Sequence, residues 1–241
     1  MRYTLLVNEN LEGSKKNLLI LGITSSLAPS IVSSAKLRGY TIYGTCRSLK
    51  DTSPDLKVSV NLIELDISSK DSISKFENYI RTIKLNFIVS LIGQTSRKIN
   101  TSQDYDYIAL YFSSYITNLI YLFDTIIPHY LDDNQELLFA YVSSRAALYG
   151  SFDPYYAATK SAIQSYIASV SRKYLNITFF VILSGLIEGS KMMREMDVMS
   201  LMSHRTRANN QLAHVDDFGE FLFSITQSEN LNLINWFGEN Y

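Results

Sequence analysis

Short runs of apolar residues alternate along the chain with longer segments in which apolar positions recur at helical spacing. Runs of the first kind are typical of strands buried on both faces, and such strands form parallel sheets that helices cover. The pattern predicts strands at 17–22, 40–45, 58–65, 86–92, 137–142, 177–183 and 231–236. It predicts helices at 29–38, 71–83, 107–130, 154–174 and 215–226.

Capping residues support several of these helix boundaries. Pro29 suits the first turn of a helix, and Gly39 suits the position just past its end. Asp71 is the predicted N-cap of the next helix. Asp153 and Pro154 have the pattern of an N-cap followed by a first helical residue.

The alternation of strands and helices predicts an α/β fold: one doubly wound parallel sheet, the Rossmann fold, in a single domain over 1–241. No repeat, low-complexity run or Pro/Gly-rich linker divides the sequence. In such sheets, ligands bind outside the carboxyl ends of the strands, near the topological switch point. The candidate site residues are therefore those at predicted strand ends, namely 22–28, 45–47, 66, 90–94, 143–145 and 184–190.

Composition narrows the possible classes of function. Hydrophobic residues make up 46% of the 241 residues, which is enough for a sizeable core and excludes a disordered protein. The formal charge of −1 gives no reason to expect a nucleic acid or an anionic membrane as partner. The single cysteine, Cys46, excludes an intramolecular disulfide and a cysteine-rich zinc site. The histidines do not have metal-ligand spacing, so no metal is expected; they are His129, His204 and His214.

We expect a cytoplasmic protein with no membrane partner. The first ten residues carry acidic and amide side chains where the apolar core of a signal peptide would lie. The most apolar stretch, 107–131, is interrupted by serine, threonine, asparagine and aspartate, so it falls short of the roughly 18 apolar residues of a membrane span. A buried helix is the expected structure of that stretch.

The most specific chemical pattern is a tyrosine and a lysine four residues apart, preceded by a serine at a strand end. Tyr156 and Lys160 share one face of a predicted helix, and Ser144 ends the preceding strand. A phenol titrates at about pH 10, but a nearby ammonium and the first turn of a helix both stabilise a phenolate. We therefore expect Tyr156 to exchange a proton with a substrate oxygen that Ser144 holds by a hydrogen bond.

An ordinary surface pair is the alternative interpretation of Tyr156 and Lys160, because this spacing is common by chance. Two further features favour the catalytic interpretation. Ser143 and Ser144 follow a predicted strand at a suitable distance, and a strand–loop–helix pattern near residue 22 is typical of nucleotide binding.

The segment YVSSRAALYGSFDPYYAATKSAI, residues 141–163, resembles the catalytic segment of the short-chain dehydrogenase/reductase family, of its single-domain type. The resemblance extends over about 17–226 and implies an oxidoreductase that transfers hydride between a nicotinamide and a carbonyl or alcohol substrate. It implies that Tyr156 is the general acid/base, that Lys160 lowers its pKa and binds the nicotinamide ribose, and that Ser144 orients the substrate oxygen. The spacing from Ser144 to the tyrosine is one residue shorter than the commonest one, which leaves Ser143 as an alternative, whereas Gly150 favours Ser144.

The sequence LLILGITSSLAPSIV follows a predicted strand and opens a predicted helix, as a dinucleotide-binding loop must. It keeps Gly22 for the tight turn but has Ser26 and Ala28 where the family pattern TGxxxGxG has glycine. The hydroxyls of Thr24, Ser25 and Ser26 lie beside a predicted helix N-terminus, where they can donate hydrogen bonds to a pyrophosphate. A strand-to-helix turn without a ligand is the alternative.

The end of the second predicted strand favours NADP(H), with NAD(H) as the other possibility. NAD-binding enzymes usually carry an acidic residue near Cys46 for the ribose 2′-hydroxyl, and none is present. Arg47 instead suits a 2′-phosphate through its charge and planar fork, and Ser48 offers a further hydrogen bond. A solvated loop arginine is the alternative interpretation of Arg47.

The resemblance implies further cofactor contacts at strand ends. Asp66 would cap the adenine end of the cofactor, although a turn aspartate is the alternative. Gly93, retained from the family's NNAG motif, would permit close approach of the cofactor. The remaining predicted cofactor contacts are Leu27, Ile67, Leu91, Ile92, Gly185 and Ile187.

Two family features are altered. An asparagine in the long central helix often completes a proton relay to the lysine, and its position falls at Tyr115, with Ser114 beside it and Asn118 one turn later. The usual Pro-Gly after the sixth strand is Ser184-Gly185. These losses keep open a cofactor-binding sensor or regulatory protein without turnover. A sugar-nucleotide epimerase or dehydratase is a third hypothesis, but that class usually needs a larger region than 185–241 after the sixth strand.

The segment after the sixth predicted strand covers the substrate in the resembled family, and here it is rich in cations. That bias indicates a phosphorylated or carboxylated substrate, such as a sugar phosphate or sugar nucleotide, with a solvated charged face as the alternative. The cations are Lys191, Arg194, His204, Arg205 and Arg207, and further pocket candidates are Gln94 and Arg145. By the same analogy, the helices at 107–130 and 154–174 imply a homodimer or homotetramer.

Overall fold

A seven-stranded parallel sheet lies at the centre of the structure, a computed structural model that describes residues 16–96, 105–130, 136–196, 198–207, 212–226 and 233–236. The strands are β1 (Asn17–Leu21), β2 (Thr41–Cys46), β3 (Asn61–Glu64), β4 (Phe87–Ser90), β5 (Leu137–Ser144), β6 (Ile177–Ser184), β7 (Ile187–Glu188), β8 (Ala213–His214) and β9 (Leu233–Trp236). The sheet order is β3-β2-β1-β4-β5-β6-β9, and β7 pairs with β8 outside it. The doubly wound parallel sheet predicted from the sequence is confirmed, and its switch point lies between β1 and β4.

Helices cover both faces of this sheet. They are α1 (Ala28–Leu37), α2 (Pro54–Ser59), α3 (Lys70–Ile80), α4 (Tyr105–Phe112), α5 (Asn118–Ile126), α6 (Ala146–Tyr149), α7 (Pro154–Val170), α8 (Lys191–Arg194), α9 (Val198–Arg207) and α10 (Phe218–Ile225). One π-helical turn, Ser113–Thr117, joins α4 to α5, and short 3-10 helices lie at Leu49–Asp51, Ile127–Tyr130 and Val215–Asp217. None of the helices in the described ranges is long and apolar enough to span a bilayer.

Strand β1 shows why the predicted strands are mainly apolar runs without polar alternation. Leu18 and Ile20 pack into one core with α1 and α10, while Leu19 and Leu21 pack into the other with α3, α5 and α7. Both faces of the strand are therefore buried, and each fully buried side chain of this kind contributes about 1.5–3 kcal/mol of transfer free energy.

Several predicted boundaries were wrong for local reasons. The first part of the predicted strand 58–65 is the end of α2, which begins at Pro54, and Val58 is 90% exposed rather than buried. Helix α3 is capped by Ser69, whose hydroxyl accepts from the Ser72 N–H, and not by Asp71, which lies inside the helix. The helix predicted at 107–130 is interrupted at the π-helical turn, and that predicted at 154–174 ends at Val170.

The backbones of helices α1 and α10 approach each other closely at Gly219. A β-carbon there would overlap the Ser30 carbonyl and lie 2.7 Å from the Ser34 hydroxyl oxygen. Next to it, the Glu220 carboxylate accepts hydrogen bonds from Ser34 (2.7 Å) and from Arg38 (2.9 and 2.8 Å). These bonds fix the two helices together, so they cannot separate freely to admit a larger residue.

We expect Gly219→Ala to lower the free energy of unfolding by roughly 3 kcal/mol, because the backbone of one helix must move. Urea denaturation measures the change. Ser224→Ala, at an exposed position of the same helix, is the control and should change stability by less than about 0.5 kcal/mol. Equal stability of the two variants would contradict the close packing at Gly219.

Candidate active site

A groove of about 820 Å³ crosses the carboxyl ends of the sheet strands, at the switch point between β1 and β4. This volume lies within the range of roughly 300–1,000 Å³ that is usual for small-molecule and cofactor sites. The predicted site residues that line it are Gly22, Thr24, Ser25, Ser26, Leu27, Arg47, Ile67, Leu91, Ile92, Gly93, Ser144, Tyr156, Lys160, Gly185 and Ile187. Residues separated by more than 160 positions in sequence therefore meet in one cleft.

The start of α7 positions Tyr156. Asp153 caps the helix: its Oδ1 accepts the Tyr156 N–H at 2.9 Å, and Pro154 is the first helical residue. The same carboxylate accepts the Ser96 N–H at 2.7 Å and the Ser96 hydroxyl, which joins α7 to the segment after β4. The N-terminal cap predicted from the sequence is thus present, and it also connects two walls of the groove.

The end of β5 places Ser144 against Tyr156. Ser144 is in register with Ser184 of β6, and its oxygen accepts the Ala146 N–H at 3.2 Å. A side-chain hydrogen bond joins Ser144 to Tyr156 and acts to lower the pKa of the phenol. Ser143, the alternative serine, also lines the groove, is 1% exposed and makes no hydrogen bond through its hydroxyl within the described residues.

The pKa of Tyr156 is raised to about 12, not lowered. Burial of the phenol is the largest cause, and the negative charge of Asp153 adds to it, while the Ser144 hydrogen bond acts in the opposite direction. The nearby lysine and the helix terminus predict an acidic phenol, but desolvation of the buried ring acts in the opposite direction. In the ligand-free chain, Tyr156 is therefore a protonated hydrogen-bond donor at neutral pH.

Lys160 is buried one helical turn beyond Tyr156 and is 5% exposed. Its ammonium donates to the Val142 carbonyl at 2.9 Å and to the Ile92 carbonyl at 3.5 Å, and it lies 5.8 Å from the centre of the Tyr156 ring. Burial lowers the pKa of this lysine to about 7. Gly93 makes room for it, because a β-carbon at that position would lie 2.7 Å from the Lys160 Nζ.

The loop between β1 and α1 has the form of a nucleotide-binding turn. Gly22 has a φ of +88°, a conformation that favours glycine, and its N–H donates to the Thr45 hydroxyl at 3.0 Å. Ile23 N–H donates to the Thr45 carbonyl at 2.8 Å. Within the described ranges, the N–H groups of Thr24 and Ser26 have no protein acceptor and remain available to an anion.

The predicted recognition residues for the adenosine end divide into two groups. Arg47 and Ile67 line the groove. Ser48 instead caps a 3-10 turn, where its hydroxyl accepts the Lys50 N–H. Asp66 accepts the N–H and hydroxyl of Ser68, which lower the pKa of its carboxyl, and it does not line the groove. These two side chains form local turns, the alternative that the sequence left open for Asp66.

The helix position at which the family carries asparagine holds Tyr115 within the π-helical turn. The Tyr115 hydroxyl donates to Gln94 Oε1 at 2.9 Å, and the Tyr111 hydroxyl donates to the Gln94 carbonyl at 2.5 Å. Tyr115 and Gln94 both line the groove, and Arg47 also interacts with the Tyr115 hydroxyl. Nothing in the sequence indicated the hydrogen bond from Tyr111 to Gln94 or the bonds from Ser96 to Asp153, because both depend on tertiary contacts.

Of the predicted cations after β6, Lys191 is the one that lines the groove in the part of the chain that the structure describes. Arg194 donates to the Gly189 carbonyl at 2.9 Å, and Arg205 pairs with Glu188 at 3.1 Å. The side chains of His204 and Arg207 lie outside the described residues. In the described part of the chain, no group of three potential ligand side chains could hold a metal ion.

No model of a known protein family matches the sequence, and no curated protein matches it. Solved structures match over nearly the whole chain at low identity. The ligand-free aldohexose dehydrogenase of Thermoplasma acidophilum is 12% identical with a TM-score of 0.76, covering 93% of each chain. A tyrosine-to-phenylalanine variant of ElxO with NADPH bound is 13% identical with a TM-score of 0.73, covering 92% of this chain and 97% of that one.

A ribose-5-phosphate isomerase from Brucella melitensis is 10% identical with a TM-score of 0.80, covering 93% of this chain and 91% of that one. The names of these similar structures therefore include both a dehydrogenase and an isomerase. At such identities, the likeness establishes the fold alone: this chain has the Rossmann-type α/β fold that these enzymes share.

Proposed function

We propose that this chain is an NADP(H)-dependent oxidoreductase of the short-chain dehydrogenase/reductase type, acting on a carbonyl or alcohol substrate. The observation that carries the proposal is that Ser144, Tyr156 and Lys160 line the same groove as the β1–α1 loop, which has the form of a nucleotide-binding turn. Two of the similar structures support it, since one is named a dehydrogenase and another holds NADPH. The name of the isomerase shows that the fold also occurs with another activity.

The residues of the groove fit a nicotinamide dinucleotide. Gly22 and the free N–H groups of the first loop suit the pyrophosphate, Arg47 suits the adenosine end, and Gly93 leaves space in front of Lys160. When bound, the nicotinamide would supply or accept the hydride.

The chain's own part in reduction is to hold the substrate oxygen and to give it a proton. Tyr156, protonated at neutral pH, donates to the carbonyl oxygen and transfers its proton as negative charge develops there. Ser144 donates a second hydrogen bond to the same oxygen. Lys160 stabilises the resulting phenolate, and its pKa of about 7 allows it to take up a proton at that stage.

A cofactor-binding sensor without turnover is the second candidate. The raised pKa of Tyr156 and the replacement of the relay asparagine by Tyr115 favour it. Fluorescence titration with NADPH, followed by turnover of aldoses, sugar phosphates and apolar ketones, separates the two candidates. Turnover of any of these carbonyl compounds supports the oxidoreductase. Micromolar binding without turnover would favour the sensor, and absence of binding would exclude both.

Arg47 provides a prediction for cofactor choice. We expect Arg47→Asp to weaken NADPH binding by about 30-fold and NADH binding by less than about threefold, because a carboxylate repels the 2′-phosphate and accepts from a 2′-hydroxyl. The ratio of the two dissociation constants is the measurement. Arg205→Asp, outside the groove, is the control, and an unchanged ratio in the Arg47 variant would refute the assignment.

A further inference from the structure

We propose that Lys191, held beside the β1–α1 loop, binds the pyrophosphate of the dinucleotide. This inference rests on the proposed function and assigns to Lys191 a part in cofactor binding, whereas the sequence had placed it in the substrate-covering segment. It is drawn from the position of the residue, from the charges along the groove and from the composition of the loop.

The main chain of Lys191 is bonded to the nucleotide loop. Its N–H donates to the hydroxyl oxygen of Ser26 at 3.0 Å, across 165 residues of sequence. Ser26 and Lys191 both line the groove. The family pattern has glycine at the Ser26 position, so this bond depends on the serine that this chain carries. The Cα of Lys191 is thereby held beside the loop that would receive the phosphates.

The positive charges of the groove come from three separate segments of the chain. In the described part of the chain, its cationic lining residues are Arg47, Lys160 and Lys191. Arg47 follows β2 at the adenosine end, and Lys160 is buried at the catalytic end between the carbonyls of β5 and the segment after β4. Lys191 lies next to the loop at the N-terminus of α1, because its N–H donates to Ser26.

The β1–α1 loop binds a pyrophosphate less favourably than a glycine-rich loop would. Ser26 and Ala28 replace two glycines, and their β-carbons limit how closely the backbone can approach the phosphates. The free N–H groups of Thr24 and Ser26 are neutral donors for a group that carries two negative charges. The ammonium of Lys191, beside this loop, supplies the charge that these donors lack.

The present partner of Lys191 is weakly held. Its ammonium lies 3.7 Å from the Glu195 carboxylate one turn along α8, and the two side chains are 76% and 50% exposed. An exposed pair of this kind contributes little to stability, so exchange of Glu195 for a phosphate oxygen costs little. Glu195 also lines the groove, where its charge opposes an anion.

The test compares dissociation constants of NADPH, NADH and ADP-ribose for the full chain and its variants, by calorimetry or fluorescence. ADP-ribose has the pyrophosphate but neither the nicotinamide nor a 2′-phosphate. We expect Lys191→Met to weaken all three by about tenfold, Lys191→Arg to restore most of the affinity, and Glu195→Gln to strengthen all three by about twofold. Lys173 is exposed and lies just past the C-terminal end of α7, so Lys173→Met controls for the change in net charge.

Each outcome decides the assignment. A common factor for the three ligands supports the pyrophosphate role. A loss confined to NADPH would assign Lys191 to the 2′-phosphate, a loss confined to nicotinamide-containing ligands would assign it to the nicotinamide end, and unchanged affinities would remove it from the cofactor site. Each of these three results overturns the inference while the proposed function stands. If the unmodified chain binds none of the three ligands, both this inference and the proposed function are wrong.

Discussion

Tyr156→Phe is expected to lower turnover by roughly 10²–10⁴-fold while the dissociation constant of NADPH stays within about twofold. The ring of Tyr156 is buried, and phenylalanine fills the same volume, so the groove keeps its shape. Only the hydroxyl that bonds to Ser144 is lost, and with it the proton donor. Turnover and cofactor binding are measured on the same preparation.

The adjacent tyrosine provides the matched control. Tyr155 lies one residue earlier in α7, does not line the groove, and its ring contacts Phe112. Tyr155→Phe makes the same chemical change and should keep at least half of the activity. Comparable activity in the two variants would remove Tyr156 from the proton-transfer step.

Lys160→Met is expected to stabilise the fold and to abolish activity at the same time. The folded-state pKa of about 7 lies far below the 10.5 of a free lysine, so protonating Lys160 at neutral pH opposes folding. The full shift corresponds to about 5 kcal/mol, and loss of the hydrogen bonds to the Val142 and Ile92 carbonyls offsets part of it. We expect a net gain of about 2 kcal/mol at pH 7 and a loss of turnover of at least about 100-fold.

The pH dependence identifies the cause of this stabilisation. Between about pH 7 and 10.5, the unfolded chain binds a proton at Lys160 that the folded chain does not, so Lys160 makes the unfolding free energy rise with pH. Below pH 7 its penalty is complete and constant. The raised pKa of Tyr156 has the opposite sign and reduces stability only between about pH 10 and 12.

Urea denaturation between pH 7.5 and 9.5 therefore separates the two groups, because Tyr156 does not titrate in that window. Over this range, the unmodified chain should gain up to about 1.4 kcal/mol per pH unit relative to Lys160→Met. Lys173→Met should follow the unmodified chain. A parallel pH dependence of all three chains, or a less stable Lys160 variant at pH 7, would contradict the conclusion that burial of the Lys160 ammonium destabilises the fold.

The sequence predicted the sheet well because both faces of its central strands β1, β4, β5 and β6 are largely buried, which leaves apolar runs such as Leu18–Leu21. It failed where hydrophobicity and burial do not coincide. Val58 is apolar yet exposed, and it extended a predicted strand into what is the end of a helix. Ser69 and Asp71 are both good N-cap residues, and the hydrogen bond that selects Ser69 is visible only in the structure.

In the candidate site, the sequence predicts the positions of the residues but not their pKa values. The positions of Ser144, Tyr156 and Lys160 follow from spacing along one helix and one strand, so sequence patterns locate them. Their pKa values depend on how much of the surrounding chain excludes water, which no local pattern encodes. The bond from Lys191 to Ser26 likewise joins two distant segments. The predicted oligomer, cytoplasmic location and substrate class remain predictions.

The transfer of hydride is the central claim, and isotope labelling tests it most directly. The chain is incubated with NADPH carrying deuterium at both C4 positions of the dihydronicotinamide and with a carbonyl panel, and the products are analysed by mass spectrometry. The account predicts an alcohol with one deuterium on the former carbonyl carbon, absent with Tyr156→Phe. Cofactor bound without any labelled alcohol, or labelled alcohol formed equally well by that variant, would contradict it.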